Sequence, residues 1–144
     1  MIEQDTVKLL RECDAGVKMG VKSIEDVLDH VKEARLLQIL SNCKKEHLEL
    51  QKQIDEQLAR FSDEGKAPAA IAKGMSWMKS NMKLAMEDSD KTVADLMTDG
   101  CNMGVKSLNR YLNQYKAADE RSKDIAKRLI HLEEQLAKDV AAYL

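Results

Sequence analysis

The residues of this sequence with the greatest chemical potential are one histidine and two cysteines. Cys43 and His47 are four positions apart, so on a helix they face the same side. Cys101 is a further candidate from a distant part of the chain. Thiolates and imidazoles bind zinc, but a zinc site takes three or four protein ligands. A hydrogen-bonded core histidine is the favoured interpretation, because buried polar groups find partners. His47, Cys43 and Cys101 therefore remain only weak candidate ligands.

No arrangement of acids, bases or nucleophiles in the sequence predicts a catalytic site. Glu46, Glu49, Glu133 and Glu134 are each expected on the polar face of a helix, so no carboxylate pair is placed for acid–base chemistry. No Ser-His-Asp or Cys-His combination stands out from chance. Three cysteines without CxxC spacing predict small reduced core residues rather than a disulfide or zinc framework. We therefore predict no catalytic residue, no metal-ligand set and no cofactor.

A repeated glycine motif is the second feature that could serve a ligand. The sequence GVKMGVKS at 16–23 returns as GCNMGVKS at 100–107, an offset of 84 positions. Each glycine costs about 1 kcal/mol in a helix relative to alanine, so these glycines must serve packing or binding. Either the two glycine helices pack closely against each other, or the missing side chains leave a ligand cavity. The residues concerned are Gly16, Gly20, Gly100 and Gly104.

The composition predicts one all-α domain that covers residues 1–144. Of the 144 residues, 44% are hydrophobic, only 3% are aromatic and one is proline, which favours long helices over strands. The formal charge of −2, from 23 basic and 25 acidic residues that are well mixed, gives no argument for binding nucleic acid or an anionic membrane. The sequence shows no signal peptide and no stretch of about 18 apolar residues, so we predict a cytoplasmic protein.

Four seams of apolar residues, spaced alternately by three and four positions, predict four long helices. The seams cover residues 10–31, 36–61, 94–115 and 118–143. The first and third seams are related by an offset of 84, and the second and fourth by 82. At an offset of 82, His47 corresponds to Leu129, and His131 lies at the edge of its seam or exposed. Short turns near 31–34 and 115–118 predict two antiparallel helical hairpins.

The segment between the second and third helices carries its own apolar stripe, which predicts a short fifth helix in a long crossover. Gly65 and Pro68 mark a helix end and a new start, and Ser89 or Asp90 is the expected N-cap of the third helix. The methionines of the stripe either pack on the bundle or form a soft groove for a partner helix or for self-association. The candidate partner-binding residues are Met75, Trp77, Met78, Met82 and Met86.

Two helical hairpins with an internal pseudo-two-fold and one long crossover resemble the ferritin-like superfamily. Within it, the sequence looks like a bacterial branch of unknown function with a Gly/Pro linker and a Trp-x-Lys crossover helix. The matching motifs are CDAG at 13–16, EGKAP at 64–68, GMSWMK at 74–79 and DGCNMG at 99–104. The resemblance implies a four-helix bundle, assembly into oligomers and, most often, a carboxylate-bridged di-iron centre.

The sequence departs from this resemblance at the di-iron motif. Such a centre needs an inward Glu on two helices and Glu-x-x-His on the other two. The residues three positions before the histidines are instead Val27, Lys44 and Arg128, and the first and third seams have Val17 and Cys101 where carboxylates are needed. We therefore predict a non-catalytic bundle without a di-iron centre that acts by self-association, as a dimer, or by binding a protein partner. The alternative is a metal-dependent oxidoreductase or metal-storage protein with an atypical site.

Overall fold

The computed structural model describes residues 2–63, 65 and 87–144, and the regular structure within them is entirely helical. The elements are α1 (Ile2–Leu28), α2 (Ala34–Arg60), α3 (Asp90–Gln114) and α4 (Glu120–Val140), with a 3₁₀ turn at Ala141–Tyr143. The predicted all-α architecture with four main helices is thus confirmed. The predicted crossover helix lies outside the described residues.

The four helices form a bundle made of two hairpins. The connections 29–33 and 115–119 are short, as predicted, and each folds one helix back against the preceding one. Helix α1 also packs against α3 and α4, and α2 packs against α4. At one end of the bundle, Arg11 of α1 pairs with Asp63, just beyond α2. At the other end, His30 beyond α1 bonds Asp88, just before α3. The chain therefore leaves α2 at one end of the bundle and enters α3 at the other.

Local backbone conformation and capping explain where α2 ends and where α3 begins. After α2, Ser62 has a φ of 54° and Gly65 a φ of 89°, which is left-handed backbone that favours glycine. A side chain at Gly65 would also collide with the carboxylate of Asp14 on α1. At the start of α3, the Ser89 hydroxyl accepts the backbone N–H of Thr92 at 3.2 Å. The predicted N-cap at Ser89 is thus confirmed.

The two hairpins hold each other by reciprocal bonds at their turns. The carboxylate of Asp90, in the first turn of α3, accepts the backbone N–H groups of Lys32 (2.7 Å) and Glu33 (3.1 Å) before α2. The carboxylate of Asp5, in the first turn of α1, accepts the backbone N–H of Ala117 before α4 at 3.0 Å. The donors Glu33 and Ala117 are 84 positions apart, as the glycines are, whereas the acceptors Asp5 and Asp90 are 85 apart, so the two bonds have similar places in the two hairpins but are not related by one offset. Each bond satisfies an N–H near a helix start that has no partner inside its helix.

The core consists of two apolar clusters with a polar layer between them. The first cluster includes Leu10, Val17, Leu50 and Leu129, and the second includes Ile24, Leu40, Met97 and Leu136. On every helix, the residues between the two clusters fall in the same layer at mid-height of the bundle. This central layer contains Gly20 of α1, His47 of α2, Gly104 of α3 and Glu133 of α4.

Among the described residues, no helix is both long enough and apolar enough to span a membrane.

Candidate functional site

His47 is the fully buried polar residue at the middle of α2, on the inner seam where the sequence predicted it. Its Nδ1 lies 2.8 Å from the backbone oxygen of Cys43, one turn earlier, so Nδ1–H donates to that carbonyl. Its Nε2 lies 3.3 Å from Oε1 of Glu133 on α4. Both nitrogens of the ring are therefore engaged, and the ring joins α2 to α4 across the bundle.

The prediction that Glu133 lies on a polar face is wrong. Glu133 is only 9% exposed. Leu132 is partly exposed, although the sequence analysis assigned it to the inner seam. Between Leu129 and Leu136, both 132 and 133 satisfy a spacing of three and four, so periodicity alone cannot choose between them. Position 133 faces the interior, where the carboxylate meets the His47 ring. The spacing of hydrophobic residues favoured Leu132, because that pattern takes no account of a polar partner such as His47 on another helix. His131 is exposed, as expected.

Gly20 and Gly104 make room for this pair of side chains. A Cβ built on Gly20 would lie 2.7 Å from Nε2 of His47, closer than real Cβ contacts allow. A Cβ on Gly104 would lie 3.4 Å from the carboxyl group of Glu133. The atoms nearest to these two Cβ positions thus belong to side chains of α2 and α4, not to the other helix that carries the glycine repeat. The space beside Gly20 is therefore occupied by the His47 ring. This differs from both interpretations drawn from the sequence.

The other two glycines of the repeat lie outside the central layer. A Cβ on Gly16 would touch Cδ2 of Leu129 at 3.4 Å, an ordinary packing distance. Gly100 is exposed, and among the described residues no atom comes within 4 Å of the position of its Cβ. Only one glycine of each repeated pair therefore contacts the pair of polar side chains.

The groups around the His47 ring favour its doubly protonated form. Burial lowers its pKa, but the side-chain hydrogen bonds to Cys43 and Glu133, followed by the charges of these two groups, outweigh burial and raise the pKa to about 10. An imidazolium with two N–H donors matches the two acceptors that face it, the carbonyl oxygen of Cys43 and the carboxylate of Glu133. The central layer thus contains a buried ion pair.

The three cysteines are free thiols in three different surroundings. Cys43 Sγ lies 3.5 Å from Nδ1 of His47. Burial, followed by the charges of Glu12 and Asp14, raises the pKa of Cys13 to about 12. Burial, followed by the charge of Glu133, also raises the pKa of Cys101.

A di-iron centre does not fit these residues. The central layer supplies one carboxylate and one imidazole, whereas such a centre uses carboxylates from all four helices and two histidines. The imidazole has no lone pair available while both nitrogens carry hydrogen, and Gly20 and Gly104 have no side chain that could ligate metal. In the portion of the chain that the structure describes, no three His, Cys, Asp or Glu side chains are grouped to hold a metal ion.

A second buried carboxylate, Asp14 on α1, was missed by the sequence analysis. It is fully buried, and its oxygens accept from Gln51 Nε2 at 2.6 Å and from Lys18 Nζ at 2.7 Å. Asp14 follows Cys13 of the inner seam, and a helix can bury two adjacent positions when its neighbours surround it.

The candidate partner-binding residues of the crossover, Met75 to Met86, lie outside the described residues. The described surface does carry large apolar side chains, but they are scattered along the chain: Ile2, Leu37, Leu48, Met103 and Leu144. Comparison of the chain with protein-family models, with curated proteins and with solved structures found no match. The interpretation of the site therefore depends on its own geometry.

Proposed function

We propose that this chain is a non-catalytic bundle of the ferritin-like type that lacks a di-iron centre and acts by self-association, as a dimer, or by binding a protein partner in the cytoplasm. The ferritin-like assignment is supported by two antiparallel hairpins whose second and third helices begin at the same end of the bundle. It is also supported by the 84-residue repeat of the glycines and by the similar places of the bonds at the two turns.

The observation that carries the proposal is the filled central layer. His47 fits against Gly20 with Nε2 at a Cβ distance of 2.7 Å, and the same nitrogen bonds Glu133. In a metal-binding relative of this architecture, the middle of the bundle is where carboxylates from four helices converge. Here one ion pair occupies that space and uses the hydrogen-bonding capacity of the ring. An interior of this kind stabilises one packing arrangement. We therefore expect the association or partner binding to involve the surface of the bundle.

The competing proposal is a metal-dependent oxidoreductase or a metal-storage protein with an atypical site. One specific observation favours it: an imidazole, a carboxylate and two thiols, those of Cys43 and Cys101, are near one another in the bundle interior. A metal there would have to displace the proton on Nε2 and separate His47 from Glu133. Such a site would also need thiolates where burial and Glu133 favour the protonated form of Cys101.

Two measurements on the same preparation test these proposals. Protein purified without chelator is expected to contain far less than one equivalent of iron, zinc or copper by elemental analysis, and to oxidise added Fe(II) no faster than buffer. One or two metal atoms per chain, lost on His47→Gln, would replace our proposal with the competing one. Light scattering after size exclusion is expected to give a mass near twice the 16.3 kDa of the chain.

The sequence analysis assigned the association surface to the apolar stripe of the crossover. The variant that tests this surface is therefore Trp77→Lys with Met78→Lys. We expect this variant to be monomeric, with unchanged helical circular dichroism. A control with Leu48→Lys, an exposed apolar residue on α2, should leave the mass unchanged. A wild-type mass of one chain at all micromolar concentrations, together with no captured partner, would contradict the proposal.

A further inference from the structure

We infer that the solvent-facing side of α3 is a self-complementary surface on which a second copy of this chain docks antiparallel, about a two-fold axis beside Met103. The inference rests on the proposed self-association. It assigns one contact of that dimer to described residues, in addition to the apolar stripe of the crossover. Three features carry it: one strongly exposed methionine, charges that are segregated along one helix face, and the symmetry of their positions.

The face concerned is the side of α3 that points away from the core. Its residues recur at intervals of three and four positions, so they form one stripe along the helix. Met103 is in the middle of this stripe and is 70% exposed, more than any other large hydrophobic residue in the described part of the chain. A methionine side chain is flexible and adapts well to a protein partner. The stripe consists of Asp95, Asp99, Asn102, Met103, Lys106 and Arg110, and all of these except the partly exposed Asp95 are exposed.

The charges of this stripe are segregated by sign. Asp95 and Asp99 are one turn apart in its first half, and Lys106 and Arg110 are one turn apart in its second half. Like charges four positions apart destabilise a helix, whereas opposite charges at that spacing stabilise it. The helix dipole does not account for Asp99 and Lys106, because its effect is confined to the first and last turns and these two residues are in the middle of α3.

Ion pairs on the other helices show the opposite arrangement. Three of them join opposite charges four positions apart on one helix: Lys18–Asp14, Lys22–Asp26 and Arg128–Asp124. By contrast, Asp99, Lys106 and Arg110 form no ion pair with any residue in the ranges that the structure describes. The charges of α3 are therefore available to a partner that presents the same charges in the reverse order.

A second copy of α3 is such a partner. The midpoint between Asp99 and Lys106 coincides with the midpoint between Asp95 and Arg110, and it lies next to Met103. When two copies of α3 pair antiparallel about this point, Asp99 of each protomer faces Lys106 of the other, and Asp95 faces Arg110 in the same way. Opposite charges then meet at both ends of a contact about 22 Å long, with the two methionines at its centre. A parallel arrangement would place like charges together, so the pattern also fixes the direction of pairing.

The test measures dimerisation of the full-length native chain by light scattering after size exclusion, across micromolar concentrations. Asp99→Lys and Lys106→Asp each place like charges opposite each other twice in the dimer. Each variant alone is therefore expected to raise the dissociation constant of the dimer by about tenfold or more. In an equimolar mixture of the two variants, opposite charges face each other again. The mixture is expected to form a heterodimer with a dissociation constant within about threefold of the wild-type value, identified in native mass spectrometry by the different masses of the two chains.

Both substitutions change exposed residues, and circular dichroism checks that each variant keeps the native helical content. The matched control is Lys52→Asp, which changes an exposed lysine of α2 and should leave the dimer unchanged. If both single variants dimerise as tightly as wild type, the inference is overturned, while the proposed association through the crossover stands. A mixture that forms no more dimer than the separate variants would also overturn it. A monomeric wild type would overturn this inference and remove self-association from the proposed function.

Discussion

The two hairpins contain the same five residues at the same height, Met19–Ser23 in α1 and Met103–Ser107 in α3, but each copy faces a different side chain. Gly20 lies against the imidazole of His47, and Gly104 lies against the carboxylate of Glu133. Helices α1 and α3 share the repeated sequence, whereas the side chains that α2 and α4 pack against the glycines differ. The two halves of the bundle therefore meet as opposite charges rather than as equivalent residues.

The two partners of the ion pair also occupy corresponding places in the two hairpins. They are 86 positions apart, whereas the glycines are 84 apart and the apolar seams of the second and fourth helices predicted an offset of 82, under which His47 corresponds to Leu129. The central layer thus has an imidazole in one hairpin at the place where the other hairpin has a carboxylate. Asymmetry of this kind gives the interior a single register, because a shift of either hairpin would leave one buried charge unpaired.

The largest expected effect follows from removing one partner of the pair. Glu133→Leu should lower the free energy of unfolding by about 3–5 kcal/mol, because a buried imidazolium is left without its counter-charge. The double variant His47→Leu with Glu133→Leu should recover most of that loss, since two leucines fill a similar volume without charge. Urea denaturation of wild type, both single variants and the double variant gives the coupling energy. A double variant whose loss equals the sum of the single losses would show that the two residues do not interact.

The next effect compares the two glycines directly. Gly20→Ala should cost about 2 kcal/mol of unfolding free energy, because the new methyl group meets a ring fixed by bonds at both nitrogens. Gly104→Ala should change it by less than about 1 kcal/mol, since its contact is at an ordinary distance and alanine is the better helix former.

Gly100→Ala is the matched control for the helix-propensity term. It is exposed, with open space at the Cβ position among the described residues, so it should raise the free energy of unfolding by about 1 kcal/mol. Urea melts of the three variants give the ranking. Equal effects at positions 20 and 104 would mean that the two halves are packed alike, contrary to the comparison made above.

The smallest expected effect is a dependence on alkaline pH. The pKa of His47 rises from 6.5 unfolded to about 10 folded, so its contribution is fully present below pH 6.5 and is lost as pH rises through about 10. Between pH 7 and pH 10 the free energy of unfolding of wild type should fall by at least about 1 kcal/mol more than that of the His47→Leu, Glu133→Leu variant. Parallel pH profiles of the two proteins would indicate that the ring is not charged in the folded state.

The fold was largely predictable from the sequence, and the central site only in part. Alternation of three and four positions determines which side of a helix is buried, so the four helices, the two short turns and the Ser89 cap were found. The burial of His47 was found because it continues a seam of aliphatic residues. Glu133 and Asp14 were missed because a pattern of hydrophobic residues contains no term for a polar partner on another helix. The fit of Gly20 to the imidazole likewise depends on a contact between residues far apart in sequence.

The reciprocal bonds at the two turns predict how the molecule can be divided into two fragments. Asp90 holds the turn of the first hairpin, and Asp5 holds the turn of the second, so each hairpin completes the other. Two separate peptides, one ending near Gly65 and the other beginning near Glu87, are accordingly expected to reassemble by fragment complementation.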